Sequence, residues 1–393
     1  MTRRGGSCKN IALVGCGYVA DLYVTTLKNH PELTILAVND RAPERGARFA
    51  EHHALPFVSS LSEILADPRI GIVVNLTNPA SHFEVTKAAL EADKHVYTEK
   101  PLAMTFAEAE ALVELAERRG LELAGAPCSV LGEAAQTLWL ALRRQEIGRV
   151  RLVYAELDDG PIHLTNYRSW RSDSGAPWPW KDELEIGCTL EHAGYYVTWL
   201  TAFFGPAKSV TSFASCLVPD KQTDLPLDHA SPDFSVACVE FMSGVTARLT
   251  CSIFAPHDRT LRIIGDEGVL SIEDCWDYGS PVILTRRTPL RLRAEKHPLA
   301  ARLFGLGPRA YPLVRKPRFR FSARGSNPMD FARGVAELSD ALANGRRCRL
   351  SPRYALHVNE IVLAIANPDT MGSPRRMMST FDPMDPMVWA ERA

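Results

Sequence analysis

A glycine-rich segment near the start of the chain has the residue types and spacing that bind a pyrophosphate. The apolar run Ile11-Ala12-Leu13-Val14 leads directly into Gly15-Cys16-Gly17-Tyr18-Val19-Ala20, after which a helical pattern begins. In such a strand, turn and helix, Gly15 permits the tight turn, Gly17 lets the backbone approach the phosphates, and Ala20 allows close helix packing. The positive end of the helix then faces the phosphates. We therefore expect a dinucleotide to contact Gly15, Gly17, Tyr18, Val19 and Ala20.

Asp40 lies at the end of the second predicted strand, 20 residues after Ala20. An acidic residue at this position accepts hydrogen bonds from the adenosine ribose hydroxyls and repels a 2′-phosphate, which favours NAD. Arg41, the next residue, has the charge to pair with that phosphate instead. We therefore predict NAD as the cofactor, with NADP as the alternative.

Lys100 is the candidate for polarising a substrate oxygen. It follows a predicted strand at residues 95–97, so it lies at the carboxyl edge of a parallel sheet, where doubly wound folds bind their ligands. Pro101 favours an extended conformation of Lys100. An ammonium group there can bind a substrate hydroxyl and stabilise the alkoxide that develops as hydride leaves the carbon. The alternative, an ordinary surface lysine, is disfavoured by this position directly after a strand.

A second polar segment, residues 185–199, is predicted to form one helix. Five of its residues share a stripe at helical spacing: Glu185, Thr189, His192, Tyr196 and Trp199. Because imidazole titrates near neutral pH, His192 is the candidate for taking the hydroxyl proton and returning it, with Glu191 as its helper. The alternative for His192 is a buried histidine that bonds a backbone carbonyl. Tyr195 and Tyr196 are further proton donors, although such tyrosines are more often packing residues.

The segment that precedes this helix, residues 166–180, is rich in aromatic residues and arginines. Indole rings suit the apolar face of a pyranose, and arginines bind carboxylate or phosphate groups. The segment therefore predicts one wall of a sugar pocket, and the alternative is a surface loop held by its own tryptophans. The residues expected to contact the substrate are Tyr167, Arg168, Trp170 and Arg171.

The elements that must position these residues divide the chain into two parts, as its length also suggests. Up to residue 127, short apolar strands alternate with amphipathic helices, which is typical of parallel βαβ units. From residue 150 onward, longer strands are joined by turns at Ser243-Gly244 and Glu267-Gly268, and two helices follow at about 328–344 and 352–366. We therefore predict an α/β protein: a doubly wound parallel sheet in residues 1–127 and an antiparallel sheet in residues 128–393.

The composition favours a small-molecule ligand. The 45 basic and 46 acidic residues give a net charge of -1, so no overall field draws the molecule to nucleic acid or an anionic membrane. The nine cysteines form no Cys-x-x-Cys pair, which predicts reduced thiols and no metal site. The sequence has no secretory signal and no run of about 18 apolar residues. We therefore expect a soluble cytoplasmic protein.

Three motifs together resemble the glucose-fructose oxidoreductase and inositol dehydrogenase family, called Gfo/Idh/MocA. They are the glycine motif, Thr77-Asn78-Pro79 with His82, and Glu99-Lys100-Pro101, which is the most specific of the three. The resemblance covers nearly the whole chain. It implies an N-terminal Rossmann domain, a C-terminal α/β domain with a large open sheet, and a nicotinamide between them. It adds to the expected cofactor contacts Thr77, Asn78, Pro79, His82, Glu99 and Lys100.

The same resemblance bears on the proton-transfer residues and on assembly. The family commonly places an acid and a histidine four residues apart in the segment that contains His192, but the residue four positions before His192 is Cys188. An alternative register puts Glu185 on the acid and Thr189 on the histidine, so both join Lys100 and His192 as expected substrate contacts. Because an open sheet with an uncovered face needs a partner, a homodimer or homotetramer is expected.

These residues predict hydride transfer between NAD(P) and a secondary alcohol or ketone of a sugar, cyclitol or sugar derivative. His192 would remove the hydroxyl proton while Lys100 polarises the oxygen. The alternatives are an NAD-dependent glycoside hydrolase, which consumes no cofactor, and a non-catalytic NAD(P)-binding sensor.

One segment, residues 286–324, holds twelve Lys or Arg residues against one acid. It is predicted to be a solvated loop or an arm that docks a phosphorylated substrate or a partner subunit.

Overall fold

The first sheet is built from parallel strands joined by helices. The computed structural model describes residues 7–294, 307–317 and 329–391. The first elements in chain order are β1 (Ser7–Val14), α1 (Tyr18–Leu27), β2 (Thr34–Asn39), α2 (Pro43–His53), α3 (Leu61–Ala66), β3 (Ile70–Asn75), α4 (His82–Glu91), β4 (His95–Thr98), α5 (Phe106–Arg119) and β5 (Leu123–Gly125). The strands lie in the order β2-β1-β3-β4-β5 and all pair in parallel. The predicted Rossmann sheet is confirmed; α3 was not predicted.

Local sequence explains where these elements begin and end. Every residue of β3 is buried, as expected for a central parallel strand covered on both faces. Helix α2 begins with Pro43 in its first turn, where the missing N–H costs nothing. Helix α5 begins with a capping box, in which Thr105 Oγ1 accepts a hydrogen bond from Glu108 N at 3.2 Å. Because these strands are parallel, the carboxyl ends of β1 to β4 meet at one edge of the sheet.

The remainder of the chain forms a second, larger sheet with helices. Its elements are α6 (Glu133–Arg143), β6 (Val150–Asp158), α7 (Trp180–Ile186), α8 (Cys188–Phe204), β7 (Ala207–Ser215), β8 (Phe234–Phe241), β9 (Thr246–Ser252), β10 (Leu261–Gly265), β11 (Gly268–Ile272), β12 (Val282–Arg286), α9 (Pro289–Ala294), β13 (Arg309–Tyr311), α10 (Arg333–Asn344), α11 (Pro352–Ala366), α12 (Pro368–Met371), β14 (Arg375–Arg376) and α13 (Val388–Glu391). The strand order is β13-β12-β11-β10-β6-β9-β8-β7-β14. Only β6 and β9 pair in parallel, so the predicted large, mostly antiparallel sheet is confirmed. Strands β12, β13 and β14 were not predicted.

Helix α11 is buried between the two parts of the fold and contacts elements of both. Helix α8 packs against α11, and α11 also contacts β7 of the second sheet and α5 of the first. Helix α10 contacts β1, β4 and β5. The C-terminal part of the chain therefore returns to cover the first sheet. The boundary near residue 127 stays a prediction.

The single helix predicted for residues 185–199 is wrong, because the structure has two helices separated at Gly187. Gly187 has φ +83° and ψ 161°, a region that is essentially restricted to glycine. A Cβ atom at this position would lie 2.8 Å from the carbonyl oxygen of Pro232. Helical spacing cannot reveal such a break, because one glycine is tolerated in a helical pattern. Glu185 consequently lies on α7, while Thr189 and His192 lie on α8.

The described part of the basic segment 286–324 is tied to α6 and its flanking loop. Arg286 donates to the Glu146 carbonyl at 2.9 Å and pairs with the Glu146 carboxylate. Arg315 donates to Glu133 Oε1 at 3.0 Å. Residues 295–306 and 318–324 lie outside the described residues, so a docking role for this segment stays a prediction.

Two further properties concern membranes and thiols. Across the described ranges, no helix is both long enough and apolar enough to cross a membrane. The nine cysteines are free thiols, and Cys16, Cys128, Cys188 and Cys251 are among those that are buried. The reduced state of the cysteines stays a prediction.

Candidate active site

A cavity of about 1270 Å³ opens at the carboxyl ends of β1 to β4, the edge at which doubly wound folds bind their ligands. Its opposite wall comes from α7, from α8 and from residues that follow β6 and β11. The volume exceeds the roughly 300–1,000 Å³ of a typical pocket for one drug-sized ligand. The cavity therefore has room for a dinucleotide and a second small molecule.

The glycine turn at one end of the cavity has the shape that a pyrophosphate needs. Gly15 has φ +99°, and a Cβ atom there would lie 2.5 Å from the carbonyl oxygen of Leu76. Apart from its chain neighbours, no atom of the described residues would lie within 4 Å of a Cβ atom on Gly17, so the backbone is open to a ligand on that side. Tyr18 and Val19 line the cavity, while Ala20, also on α1, is fully buried. These residues fit an NAD(P) pyrophosphate.

The loop after β3 forms the next part of the wall. Thr77, Asn78 and Pro79 line the cavity, whereas His82 lies behind it and is fully buried. The Nδ1 atom of His82 is 2.7 Å from the Pro101 carbonyl oxygen, and its Nε2 atom is 3.0 Å from the Thr77 carbonyl oxygen. His82 therefore connects the loops after β3 and β4 and supports the cavity from behind.

Glu99 fixes the start of the loop that carries Lys100. Its Oε1 accepts a hydrogen bond from the Tyr23 hydroxyl at 2.7 Å, and its Oε2 accepts one from the Lys100 backbone N–H at 3.0 Å. Tyr23 lies on α1 and is buried. The Glu99 carboxylate therefore holds the Lys100 backbone next to the helix that begins at the glycine turn.

Lys100 pairs with a carboxylate from the opposite wall. Its Nζ donates to Glu191 Oε2, and Glu191 is hydrogen-bonded to Glu183. Burial alone would lower the pKa of Lys100, but the carboxyl groups of Glu191 and Glu183 raise it above its ordinary value. Burial and the neighbouring Glu191 raise the pKa of Glu183 well above its usual range. The cavity therefore holds the ammonium group of Lys100 next to Glu191, and Glu183 binds a proton more readily than an ordinary carboxyl group does.

His192 forms a second group in the same cavity. Its Nε2 lies 2.9 Å from Asp159 Oδ2, and its Nδ1 is buried with no partner in the described part of the chain. Arg259 donates to Asp159 from Nε at 2.8 Å and from Nη2 at 2.6 Å. Burial would raise the pKa of Asp159, but His192 and Arg259 lower it. A carboxylate therefore orients the histidine, whose Nδ1 is shielded from solvent.

The loop of residues 166–180 covers one side of the cavity and is tied to α1. Trp170 and Trp178 line the cavity. Ser174 donates to Asp21 through its hydroxyl at 2.7 Å and through its N–H at 3.2 Å. Because Asp21 lies on α1, this contact joins the loop to the helix that follows the glycine turn.

Several residues that we expected to contact the substrate lie outside the lining of the cavity. Tyr167 is buried among Trp178 and Trp180. Arg168 pairs with Asp224, and Arg171 bonds carbonyl groups of its own loop. Glu185 pairs with Lys181, and Thr189 Oγ1 lies 2.7 Å from Ser235 Oγ. The remaining expected residues that line the cavity are Asp40, Arg41, Glu99, Lys100, Trp170, Glu191 and His192.

The lining residues that were not identified from the sequence include Asp159, Glu183, Arg259 and Trp276. Asp159 follows the end of β6, and Arg259 precedes β10, which pairs with β6. Strand pairing therefore brings them together, and no short motif encodes that pairing. Glu183 was hidden by the break at Gly187, which separates it from the helix of Glu191. Of these residues, Asp159 could have been found from the sequence, because it is a polar residue close after a predicted strand.

Comparisons with known proteins agree with this architecture. Residues 9–125 match the model of an oxidoreductase family with an NAD-binding Rossmann fold, and residues 136–271 match that of the GFO/IDH/MocA C-terminal domain. Trans-1,2-dihydrobenzene-1,2-diol dehydrogenase of Bos taurus is 26% identical over 270 residues, which are 67% of this chain and 74% of that protein. An uncharacterized oxidoreductase of Synechocystis is 24% identical over 282 residues, which are 68% of this chain and 73% of that protein.

Solved structures show the same fold at low sequence identity. The aldose-aldose oxidoreductase of Caulobacter crescentus is 19% identical, with a TM-score of 0.72 over 94% of this chain and 99% of that one. The WlbA dehydrogenase of Bordetella pertussis, solved with NADH and UDP-GlcNAcA, is 17% identical, with a TM-score of 0.68 over 98% of this chain and 100% of that one. The chain belongs to the Gfo/Idh/MocA family of NAD(P)-dependent oxidoreductases.

Proposed function

We propose that the protein transfers a hydride between NAD(P) and a secondary alcohol or ketone on a sugar, cyclitol or sugar derivative. The observation that carries this proposal is that Lys100 and His192 line one cavity with the glycine turn. Lys100 comes from the first sheet and His192 from α8. The ammonium group of Lys100 and the imidazole of His192 therefore lie in the cavity that would hold the dinucleotide.

In the oxidation direction, the substrate hydroxyl donates its proton to the imidazole of His192, which lines the cavity. The Asp159 carboxylate, 2.9 Å from Nε2, stabilises the imidazolium that forms. Lys100 donates a hydrogen bond to the oxygen as negative charge develops on it. When bound, NAD(P)⁺ supplies the hydride acceptor. In the reduction direction, His192 returns the proton and Lys100 activates the carbonyl.

Glu191 acts through Lys100 in this proposal. Its carboxylate accepts a hydrogen bond from Lys100 Nζ, so it positions the ammonium group and keeps it charged. This role differs from that of helper to His192, which we expected from the sequence. Glu183 in turn bonds Glu191 and limits the movement of its carboxylate.

The lining of the outer cavity supports a carbohydrate-like substrate. Trp170, Trp178 and Trp276 lie on the cavity wall, and indole faces pack well against the apolar face of a sugar ring. The named relatives include an aldose-aldose oxidoreductase and a dehydrogenase solved with UDP-GlcNAcA. We extend their type of substrate, a sugar or sugar derivative, to this chain as a proposal.

We also propose that the protein is a cytoplasmic homodimer or homotetramer that pairs through the open face of the second sheet. Ser212 on β7 donates to the Ala364 carbonyl of α11 at 2.8 Å, so this residue faces the covered side. Its neighbour Phe213 faces the opposite side and is 58% exposed. The mass measured by light scattering tests this; a monomer at micromolar concentration would contradict it.

The experiment for the main proposal is a substrate screen. Purified protein is mixed with NAD or NADP and inositols, hexoses, uronic acids or nucleotide sugars, and the absorbance of reduced nicotinamide is followed. We expect reduction with at least one compound, and its loss in Lys100→Ala and His192→Ala variants that still bind cofactor. Arg168→Ala, which lies outside the cavity, is the matched control and should remain active. Cleavage of a glycoside without net cofactor reduction would instead support a hydrolase, and cofactor binding without any turnover a sensor.

A further inference from the structure

The carboxylate of Asp40 has no free acceptor position at the adenosine end of the cavity. Its Oδ2 accepts from the Cys16 N–H at 2.8 Å and from Arg45 Nε at 2.9 Å. Its Oδ1 accepts from the Ala42 N–H at 2.7 Å and from Arg45 Nη2 at 2.7 Å. A carboxylate offers about four acceptor sites, and Asp40 is only 2% exposed. Adenosine ribose hydroxyls therefore find no vacant position on this residue.

The groups that remain open to a ligand at this end are cationic or neutral. Arg41 and Arg45 both line the cavity, together with Ser59. The side chain of Arg45 is 39% exposed although it pairs with Asp40. Two guanidinium groups and one carboxylate leave a net charge of about +1 at this position. The local field therefore attracts an anion, whereas an unpaired Asp40 would repel one.

We propose that Arg45 and Arg41 bind the 2′-phosphate of NADP(H), and that the protein consequently binds NADP(H) more tightly than NAD(H). This reverses the preference predicted from the presence of Asp40 alone. The proposal concerns the adenosine end of the cavity and does not depend on the substrate that is turned over.

The physical reason is a difference in what each dinucleotide must displace. The two hydroxyls of an NAD ribose would have to remove Arg45 from Asp40, which breaks two charge-assisted hydrogen bonds. A 2′-phosphate can instead bind the exposed part of the Arg45 guanidinium while the Asp40 pair stays in place. Arginine is well suited to this because its planar group presents five N–H donors, of which Asp40 uses two. The Ser59 hydroxyl offers a further donor.

The first test compares binding of matched nucleotides to the wild-type protein by titration calorimetry. NADPH is compared with NADH, and 2′,5′-ADP with 5′-AMP, which lacks only the 2′-phosphate. We expect the phosphorylated member of each pair to bind at least about tenfold more tightly, with a difference that shrinks as salt is added. NADH that binds as tightly as NADPH would overturn the proposal. Because no turnover is measured, the result is independent of the proposed reaction.

The second test assigns the preference to Arg45. Arg45→Gln should weaken NADPH binding by about tenfold and leave NADH binding equal or stronger, because Asp40 becomes available to the ribose. Arg48→Gln is the matched control, since Arg48 is on the same helix, is exposed and does not line the cavity; it should change neither affinity. Equal weakening of both cofactors in a folded Arg45→Gln variant would overturn the assignment. If that variant does not fold, the wild-type comparison still decides the preference.

Discussion

Asp159 and His192 form a carboxylate–imidazole pair, with Asp159 Oδ2 placed 2.9 Å from His192 Nε2. The pair leaves His192 Nδ1 without a partner in the described residues. Asp159 is itself held by two hydrogen bonds from Arg259, whose guanidinium lies 3.5 Å from the centre of the Trp276 ring. The orientation of the histidine is therefore fixed by residues that are far apart in the sequence.

This pair predicts that Asp159→Asn slows turnover strongly without removing the cofactor. The variant no longer stabilises the imidazolium that forms in the oxidation direction, so kcat should fall by roughly 10²-fold or more. Steady-state kinetics, with cofactor binding measured separately, test this. Asp274→Asn is the control, because Asp274 contacts Arg259 but not His192; an equal loss of kcat in both variants would contradict the proposed role of Asp159.

The two glutamates next to Lys100 should respond differently to the same substitution. Because burial and Glu191 raise the pKa of Glu183 and so favour its neutral form, Glu183→Gln, which is always neutral, should retain most of the activity. Glu191→Gln removes the anion that opposes the effect of burial on Lys100. The pKa of Lys100 should then fall, and turnover should decline as the pH rises because the ammonium group loses its proton. Rate measurements from pH 7 to 10 test this; a larger loss in Glu183→Gln than in Glu191→Gln would contradict it.

The sequence predicted the parts of the site that follow from short motifs at strand ends. Gly15, Gly17 and Lys100 line one cavity, and the sequence could bring them together because a strand, a turn and a helix are local structures; their roles stay predictions. Asp159 and Arg259 were not connected, since their contact depends on the pairing of β6 with β10 across about a hundred residues of sequence. The neutralised state of Asp40 was also hidden, because it depends on the rotamer of Arg45, one turn into the next helix.

Burial of Asp158 predicts a stability that depends on pH. Its Oδ1 is buried without a partner among the described residues, and burial, together with Asp258 and Asp159, raises the pKa of this carboxyl from 3.8 to about 6. The folded state therefore binds a proton more tightly than the unfolded state. The contribution of Asp158 to the free energy of unfolding should be greatest below pH 4, decrease between pH 4 and 6, and stay lower above that range.

Asp158→Asn should remove the free-energy cost of holding an ionised carboxylate at this buried position. At pH 8 the variant should be more stable by up to about 3 kcal/mol, the equivalent of the shift in pKa, and at pH 4 it should be nearly unchanged. Urea unfolding at both pH values measures the difference. Asp266→Asn, which breaks an exposed pair with Arg151, serves as the control and should leave stability nearly unchanged at both pH values. A stabilisation of equal size at pH 4 and pH 8 would argue against titration of Asp158 as its cause.

Gly187 offers a final prediction, because it separates the helix of Glu183 from the helix of Glu191 and His192. An alanine there must adopt φ +83° and place its Cβ atom 2.8 Å from the Pro232 carbonyl oxygen. Gly205 has a similar backbone conformation, with φ +80° and ψ -165°, but a Cβ atom there meets no atom within 4 Å. Gly205→Ala should therefore cost only the backbone strain of about 1–3 kcal/mol.

Gly187→Ala should cost more than Gly205→Ala, because the clash with Pro232 adds to the same backbone strain. To relieve the clash, α7 or α8 has to shift, which changes the distance between Glu183 and Glu191 and moves His192 in the cavity. Gly187→Ala should accordingly lose turnover even at temperatures where it is fully folded, whereas Gly205→Ala should keep normal kcat. Denaturant unfolding and kinetics on the two variants provide the comparison. Equal losses of stability would show that the close approach to Pro232 is not what requires glycine between the two helices.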